Sequence, residues 1–374
     1  MDPHLFPNEP NYFVAQQFDR LLLFCCENKA SDVTFQTGEV VFAEIHGRQC
    51  RTTQRVLTLQ EMSDIIKHVY GPNATAMIFS GTDIDTHYRL KMDRDVEYRF
   101  RVNITACYFD GYQGMQMTLR VISSQPPALE TLGIEPELLP YLKVPQGVMI
   151  ISGATGSGKS TLLASMIADV CSKEDANLKV LTYEAPIEYV YTRVKMPTSI
   201  VSQVEIPRNL NSFAAGVRNA LRRKPGLILV GEARDQETIE AVIEAALTGH
   251  PVYTTVHSNG VADTLRRMVM IFPHEARDSC LFDLLETIKV VIWQALLPNP
   301  NGKRTAVREY LVFTNEVRDA LLKTEMDQLV ATIRALLPKY GQPIMADVEK
   351  KYQAGQLTDE AYQRFFLMEQ KANG

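Results

Sequence analysis

One short loop limits what this chain can fold into. Residues 153–161 read Gly153-Ala154-Thr155-Gly156-Ser157-Gly158-Lys159-Ser160-Thr161, the complete phosphate-loop pattern G-x-x-x-x-G-K-[ST]. Such a loop works only between a buried strand and the N-terminus of a helix, so it commits its surroundings to an α/β layer structure. Both flanks comply. Gly147-Val148-Met149-Ile150-Ile151-Ser152 is a short apolar run, and Leu162, Leu163, Met166, Ile167 and Val170 recur at helical spacing after the loop. Gly153, Gly156 and Gly158 permit the sharp turn that aims several backbone N–H groups at one triphosphate. The helix N-terminus adds its positive end. In this arrangement Lys159 reaches the β- and γ-phosphates and Ser160 ligates Mg²⁺, so ATP and Mg²⁺ are the expected cofactors.

Further strand ends carry candidate chemistry. Leu227-Ile228-Leu229-Val230-Gly231-Glu232 is an apolar strand that runs into an acid. A carboxylate at that edge can hold Mg²⁺ through water or orient the attacking water; the alternative for Glu232 is a solvated acid at a helix entry, since Asp235 and Glu237 follow. Val180-Leu181-Thr182-Tyr183 leads into Glu184-Ala185-Pro186-Ile187-Glu188, which sets Glu184 at the edge where open α/β sheets hold ligands. Glu184 and Glu188 could instead pair with Arg193 or Lys195. His250 and His257 bracket a strand at 252–256. Their odd spacing puts them on opposite faces, which argues against a metal pair. His257, at the strand's end, is the one placed to sense a γ-phosphate.

The first third of the chain adds basic residues. In Glu97-Tyr98-Arg99-Phe100-Arg101-Val102-Asn103 the aromatic and aliphatic side chains share one face, and Arg99, Arg101 and Asn103 share the other. Arg120 falls on the polar face of a partner strand at 115–121, joined through Asp110-Gly111. These arginines are either a solvated sheet face or fingers that neutralise a γ-phosphate in the transition state. Arg218, Arg222 and Arg223, on an expected helix at 211–223, read as exposed charges.

The 374 residues suffice for more than one domain. The organisation expected is an N-terminal α+β domain at 1–123, an α/β domain at 124–300, and a hairpin (Thr305–Phe313) with helices at 301–374, where Thr358 would cap the last helix. Ser123-Ser124-Gln125-Pro126-Pro127 has linker composition. A net charge of −5 gives no argument for nucleic acid, and no apolar run approaches the ~18 residues that cross a bilayer. The start has no basic n-region of a secretory signal. Six cysteines without a C-x-x-C pair argue against a zinc module and for a reducing compartment.

Taken in order, Gly153–Thr161, Thr182–Glu188, Leu227–Asp235 and Thr248–His257 resemble the Walker A, Asp, Walker B and His boxes of the secretion-ATPase superfamily, which includes PilT-like retraction motors and type IV secretion ATPases. The resemblance covers most of the chain. It implies a RecA-like P-loop ATPase domain, a smaller PAS-like N-terminal domain and a helical C-terminal tail. It also implies that Arg101, Arg120 and Arg99 serve the nucleotide site. There are departures: Glu184-Ala185-Pro186 stands where PilT-like chains have Glu-Asp-Pro, and Lys224-Pro225-Gly226 where they have Asp-Pro-Asp. Ala185 cannot perform the role of the middle acid. With no tetracysteine module and a distinct tail, the chain is most similar to the DotB- and TraJ-type ATPases of type IVB secretion and conjugation. The resemblance implies a cytoplasmic homo-hexamer, recruited peripherally to inner-membrane components of such a machine. ATP would lie between the N-terminal and α/β domains, with Glu184 orienting water and Glu232 holding Mg²⁺, or the reverse.

Overall fold

A computed structural model describes residues 4–91, 97–122 and 125–373. The chain divides into two compact units, Met1–Ser124 and Gln125–Gly374. The linker residues Ser123 and Ser124 lie outside the described residues.

The first unit opens with helix α1 (Ala15–Glu27) and strands β1 (Ala30–Gln36), β2 (Phe42–Ile45) and β3 (Arg48–Arg51). Helices α2 (Leu59–Val69) and α3 (Ala74–Phe79) precede β4 (Ile84–Lys91), β5 (Glu97–Phe109) and β6 (Tyr112–Ile122). Among the described residues the strands form one sheet in the order β3-β2-β1-β6-β5-β4, with every pairing antiparallel. The alternation in β5 puts Phe100, Val102 and Ile104 inside while Arg101 and Asn103 face out. The buried face packs on Phe18, Leu21 and Leu22 of α1 and on Met62, Ile65 and Ile66 of α2.

The second unit is built on a sheet ordered β14-β13-β12-β7-β11-β10-β8-β9. Its core strands are β7 (Gly147–Ser152), β8 (Lys179–Glu184), β9 (Ile200–Glu205), β10 (Leu227–Val230), β11 (Pro251–Val256) and β12 (Ile288–Pro298), and they run parallel. All six residues of β7 are buried, as a strand with both faces covered requires. Met149 and Ile151 pack on α4 (Lys159–Ser172). Val148 and Ile150 belong to the opposite layer, with α5 (Phe213–Ala220), α6 (Gln236–Leu247), α7 (Val261–Met270) and α8 (Arg277–Thr287).

The expected hairpin within Thr305–Phe313 is corrected. Those residues are one strand, β13 (Arg304–Val312), and it pairs antiparallel with β12 across the turn at 299–303. The turn chemistry lies earlier, in Asn299-Pro300-Asn301-Gly302, where Asn299 Oδ1 accepts from the backbone of Asn301 and Lys303. The C-terminal segment is therefore continuous with the sheet of the second unit. Helices α9 (Asn315–Leu322) and α10 (Leu329–Tyr340) join the α5–α8 layer. After the short β14 (Gly341–Gln342), helices α11 (Ile344–Gln353) and α12 (Asp359–Asn373) pack around Val307 of β13. Thr358 Oγ1 accepts from Ala361 N at 3.2 Å, capping α12.

Candidate nucleotide site

Parallel register sets the site. Ser152 of β7 lies opposite Val256 of β11, Thr254 opposite Val230 of β10, and Val230 opposite Tyr183 of β8. The carboxyl ends of these strands fall on one edge, so that edge collects the phosphate loop, Glu184, Glu232 and His257. Each of these residues belongs to the last position of its strand or the two that follow.

The loop turns where glycine is needed. Gly153 has φ 146°, and a Cβ there would sit 2.4 Å from the Gln294 carbonyl oxygen and 2.6 Å from Ser157 Oγ. Gly158 has φ 84°, forms the N-cap of α4, and a Cβ there would sit 2.9 Å from Gln294 Nε2. Ala154, Thr155 and Gly156 are exposed at the rim; Ser157 is buried, and Ser160 and Thr161 are half-buried in the first turn of α4. Thr161 Oγ1 lies 2.8 Å from the Tyr189 hydroxyl.

Lys159 is buried and folds over the loop, donating from Nζ to the Gly153 carbonyl at 2.9 Å and to the Ala154 carbonyl at 2.8 Å. Burial lowers its pKa, and the charges of Glu232 and Glu188 oppose that shift. Two acids, one at the end of β10 and one in the loop after β8, thus act on the loop lysine. Glu232 does not cap the following helix: Asp235 does, accepting from Thr238 N at 2.9 Å. Glu232 Oε1 instead lies 3.8 Å from His257 Nε2. Burial lowers the His257 pKa, the Lys159 charge lowers it further, and Glu232 pulls the other way.

Glu184 accepts from Thr182 Oγ1 at 2.6 Å and from Gln203 Nε2 at 3.1 Å. These contacts fix one carboxylate oxygen. Gln203 also donates to the Tyr189 carbonyl at 2.8 Å, tying the loop after β8 to β9. Gly231 leaves room where β8 and β10 converge: a Cβ would meet the Tyr183 carbonyl at 3.1 Å and Glu184 Cα at 3.2 Å. His250 faces the end of α6, with Nδ1 3.2 Å from both Thr248 Oγ1 and the Ala245 carbonyl.

The arginines of the first unit share one sheet face. Arg101 lies directly opposite Arg120, flanked by His87 on β4 and Asp32 on β1. Arg101 pairs with Asp85 at 2.8 Å and Arg120 with Asp32 at 2.8 Å, both at the surface. Arg99 is only 8% exposed. Glu97, at the start of the same strand, pairs with Arg89 at 2.7 Å. Arg218 pairs with Glu237 on the surface, and Arg223 donates to Ser202 Oγ at 2.9 Å.

Sequence reading missed Tyr189, Gln203, Gln294 and Arg308. None sits in a local motif; each reaches the site through a partner distant in sequence. The hydroxyl, the carboxylates and the tight loop suit a hard cation and a triphosphate: Ser160 and Glu232 offer oxygen donors, and Gly153 and Gly158 let the loop turn closely over Gln294, where a Cβ would collide.

The family described as "Type II/IV secretion system protein" matches residues 11–358. The chain belongs to that family. Its fold is that of the X-ray structure of the Legionella pneumophila ATPase DotB, with a TM-score of 0.87 and 48% identity over 97% of this chain and 98% of that one. The crystal structure of the pilus retraction motor PilT with bound ADP gives a TM-score of 0.78 and 30% identity, covering 92% and 96%. A Neisseria gonorrhoeae twitching motility protein is 30% identical over 321 residues, 86% of this chain and 82% of that protein. The expected relationship to DotB-like secretion ATPases, and the mixed α/β class with a helical C-terminal region, are borne out. Among the described residues no helix is long and apolar enough to cross a membrane.

Proposed function

We propose that the chain is a Mg²⁺-dependent ATPase that hydrolyses ATP to do conformational work on a type IVB secretion or conjugation apparatus. The observation that carries this reading is the gathering of Lys159, Glu184, Glu232 and His257 at one sheet edge around the phosphate loop, in a chain of DotB-like fold. Lys159 leaves the loop carbonyls to meet the β- and γ-phosphates. Ser160 and Glu232 are the residues that would hold Mg²⁺, which when bound supplies charge neutralisation across the phosphate oxygens. Glu184, held in place by Thr182 and Gln203, is the residue that orients the attacking water. His257, beside Glu232, would sense the γ-phosphate as a neutral donor. Arg101, Arg120 and Arg99 are the residues that would neutralise charge developing on the γ-phosphate, and nucleotide-driven conformational change is the work step. The assembly is a homo-hexameric ring on the cytoplasmic side, docked on inner-membrane proteins.

A second reading is a pilus retraction motor, favoured by the 30% identity to PilT; the 48% identity to DotB favours the first. Capture of partners from native membranes, with and without ATP, separates them: pilus-base proteins would replace secretion-apparatus proteins. The chemistry is tested directly. Lys159→Ala is expected to abolish steady-state turnover, and wild-type turnover in that variant removes the site. Glu232→Gln is expected to keep nucleotide binding while slowing hydrolysis on the order of a hundredfold or more; a normal rate removes Glu232 from the mechanism.

A further inference from the structure

Beneath the phosphate loop runs a buried polar chain that the hydrolysis scheme above does not use. Gln294 on β12 donates from Nε2 to the Ser157 carbonyl at 2.7 Å, inside the loop. Its Oε1 accepts from Arg308 Nε at 2.8 Å, across the β12–β13 register. Arg308 is 1% exposed, and among the described residues it is the largest side chain so fully buried. Its Nη atoms donate to the Leu132 and Gly133 carbonyls at 3.0 Å each and to the Glu135 carboxylate at 3.3 Å. Glu135 also accepts from Lys351 Nζ at 2.6 Å, and Lys351 reaches Asp347 Oδ2 at 2.7 Å. Asp347 Oδ2 in turn accepts from the Arg308 backbone N–H at 2.8 Å. Lys351 and Asp347 both belong to α11.

A cluster of two cations and two anions buried in this way is a poor device for stability alone. Removing charges from water is so unfavourable that apolar residues of equal volume commonly do as well or better. What this cluster does fix is the orientation of one amide. Arg308 offers Gln294 a donor and Ser157 offers it an acceptor, so a flipped amide would turn oxygen toward the Ser157 carbonyl and N–H₂ toward the guanidinium, losing both bonds. Gly153 and Gly158 both lie so close to Gln294 that a Cβ on either would run into it. The loop therefore rests on Gln294, and Gln294 is held by Arg308.

We propose that Gln294 is a positioning residue for the phosphate loop, and that the Arg308–Glu135–Lys351–Asp347 cluster couples that loop to helix α11. The proposal rests on the nucleotide-site reading above. Glu135 stays ionised in this cluster: burial pushes its pKa up, but Arg308 and Lys351 overcome that and hold it below the usual carboxylate value. Burial and the Glu135 charge push Asp347 up. The loop and α11 thus share one set of bonds, and by linkage whatever tightens one tightens the other.

The test is carried out on the full chain with β,γ-imido-ATP as the probe. Gln294→Met keeps the volume and removes both hydrogen bonds. It is expected to weaken analogue binding about tenfold and to lower kcat at saturating ATP by at least as much. Arg308→Lys keeps the charge but cannot span Gln294 and the Leu132 and Gly133 carbonyls together; it should weaken binding in the same direction and by less. The melting temperature without nucleotide is read separately, because a merely structural role would lower that and leave the nucleotide affinity of the folded fraction unchanged. Binding and turnover within twofold of wild type in both variants overturn the proposal while leaving the ATPase reading intact; failure of the wild type to bind the analogue sinks the reading beneath it. If neither variant folds, amide exchange in the unmodified protein decides. The analogue is expected to slow exchange within Ile344–Gln353, and unchanged exchange there overturns the coupling.

Discussion

His257 illustrates how a single side chain takes its character from its neighbours. Burial and the adjacent charge of Lys159 depress its pKa, Arg267 adds to that, and Glu232 alone among these opposes. The imidazole is therefore neutral at pH 7 and able to donate or accept one hydrogen bond according to its tautomer. The sign of the linkage follows. A histidine depressed in the folded state contributes stability above its unfolded pKa, and that contribution is lost as pH falls through the lower folded value. Protonation below that point would add a third positive charge beside Lys159 and Arg267. An NMR titration of the His257 ring protons is expected to give a midpoint below the ordinary 6.5; a midpoint above it would mean that Glu232 dominates and that the imidazolium is the working form.

At the scale of elements, the site depends on how strands end and helices begin. Strand β10 stops at Val230, Gly231 passes close to β8, and Asp235 then starts α6 by accepting from Thr238 N and Oγ1 at 2.9 and 2.8 Å. Ala233 N donates to the Thr255 carbonyl at 2.9 Å, so the connection carrying Glu232 is tied to β11 as well. Asp235→Ala removes the cap and is expected to cost about 1 kcal/mol, read as a lower urea midpoint with an unchanged m-value. An unchanged midpoint would show that β11 alone holds the connection. The strands at 148–152, 179–183, 227–230 and 252–256 were legible because each is a short apolar run between turn signals, and the hairpin at 97–121 because its alternation is strict. The arm of β12 was not: Val290-Val291-Ile292-Trp293 looks like any core segment, and only pairing with β7 on one side and β13 on the other makes it a strand of the ATPase sheet.

At the scale of the molecule, the chain keeps its phosphate loop and its paired arginines in separate units. Arg101 and Arg120 face each other across two strands, each held by an acid of its own sheet. Like charges directly opposite are unfavourable on a sheet, so Asp85 and Asp32 offset the repulsion between the two arginines. Arg101→Ala is accordingly expected to lower kcat about tenfold or more while changing nucleotide affinity little, because a finger acts on charge that develops in the transition state. Steady-state kinetics with a direct binding measurement checks this; equal loss of both, or of neither, removes the finger role for that residue.

The amino-acid sequence by itself determined the phosphate loop, the order of the four boxes and the edge on which their acids fall, because each is a local pattern whose strand or helix period can be read within ten residues or so. It did not determine what lies under the loop. Gln294, Arg308, Glu135, Asp347 and Lys351 are scattered over more than two hundred positions, and nothing in their neighbours marks them as partners. Only tertiary structure brings them together, because a buried charge has to find its counter-charge wherever the folded chain supplies one.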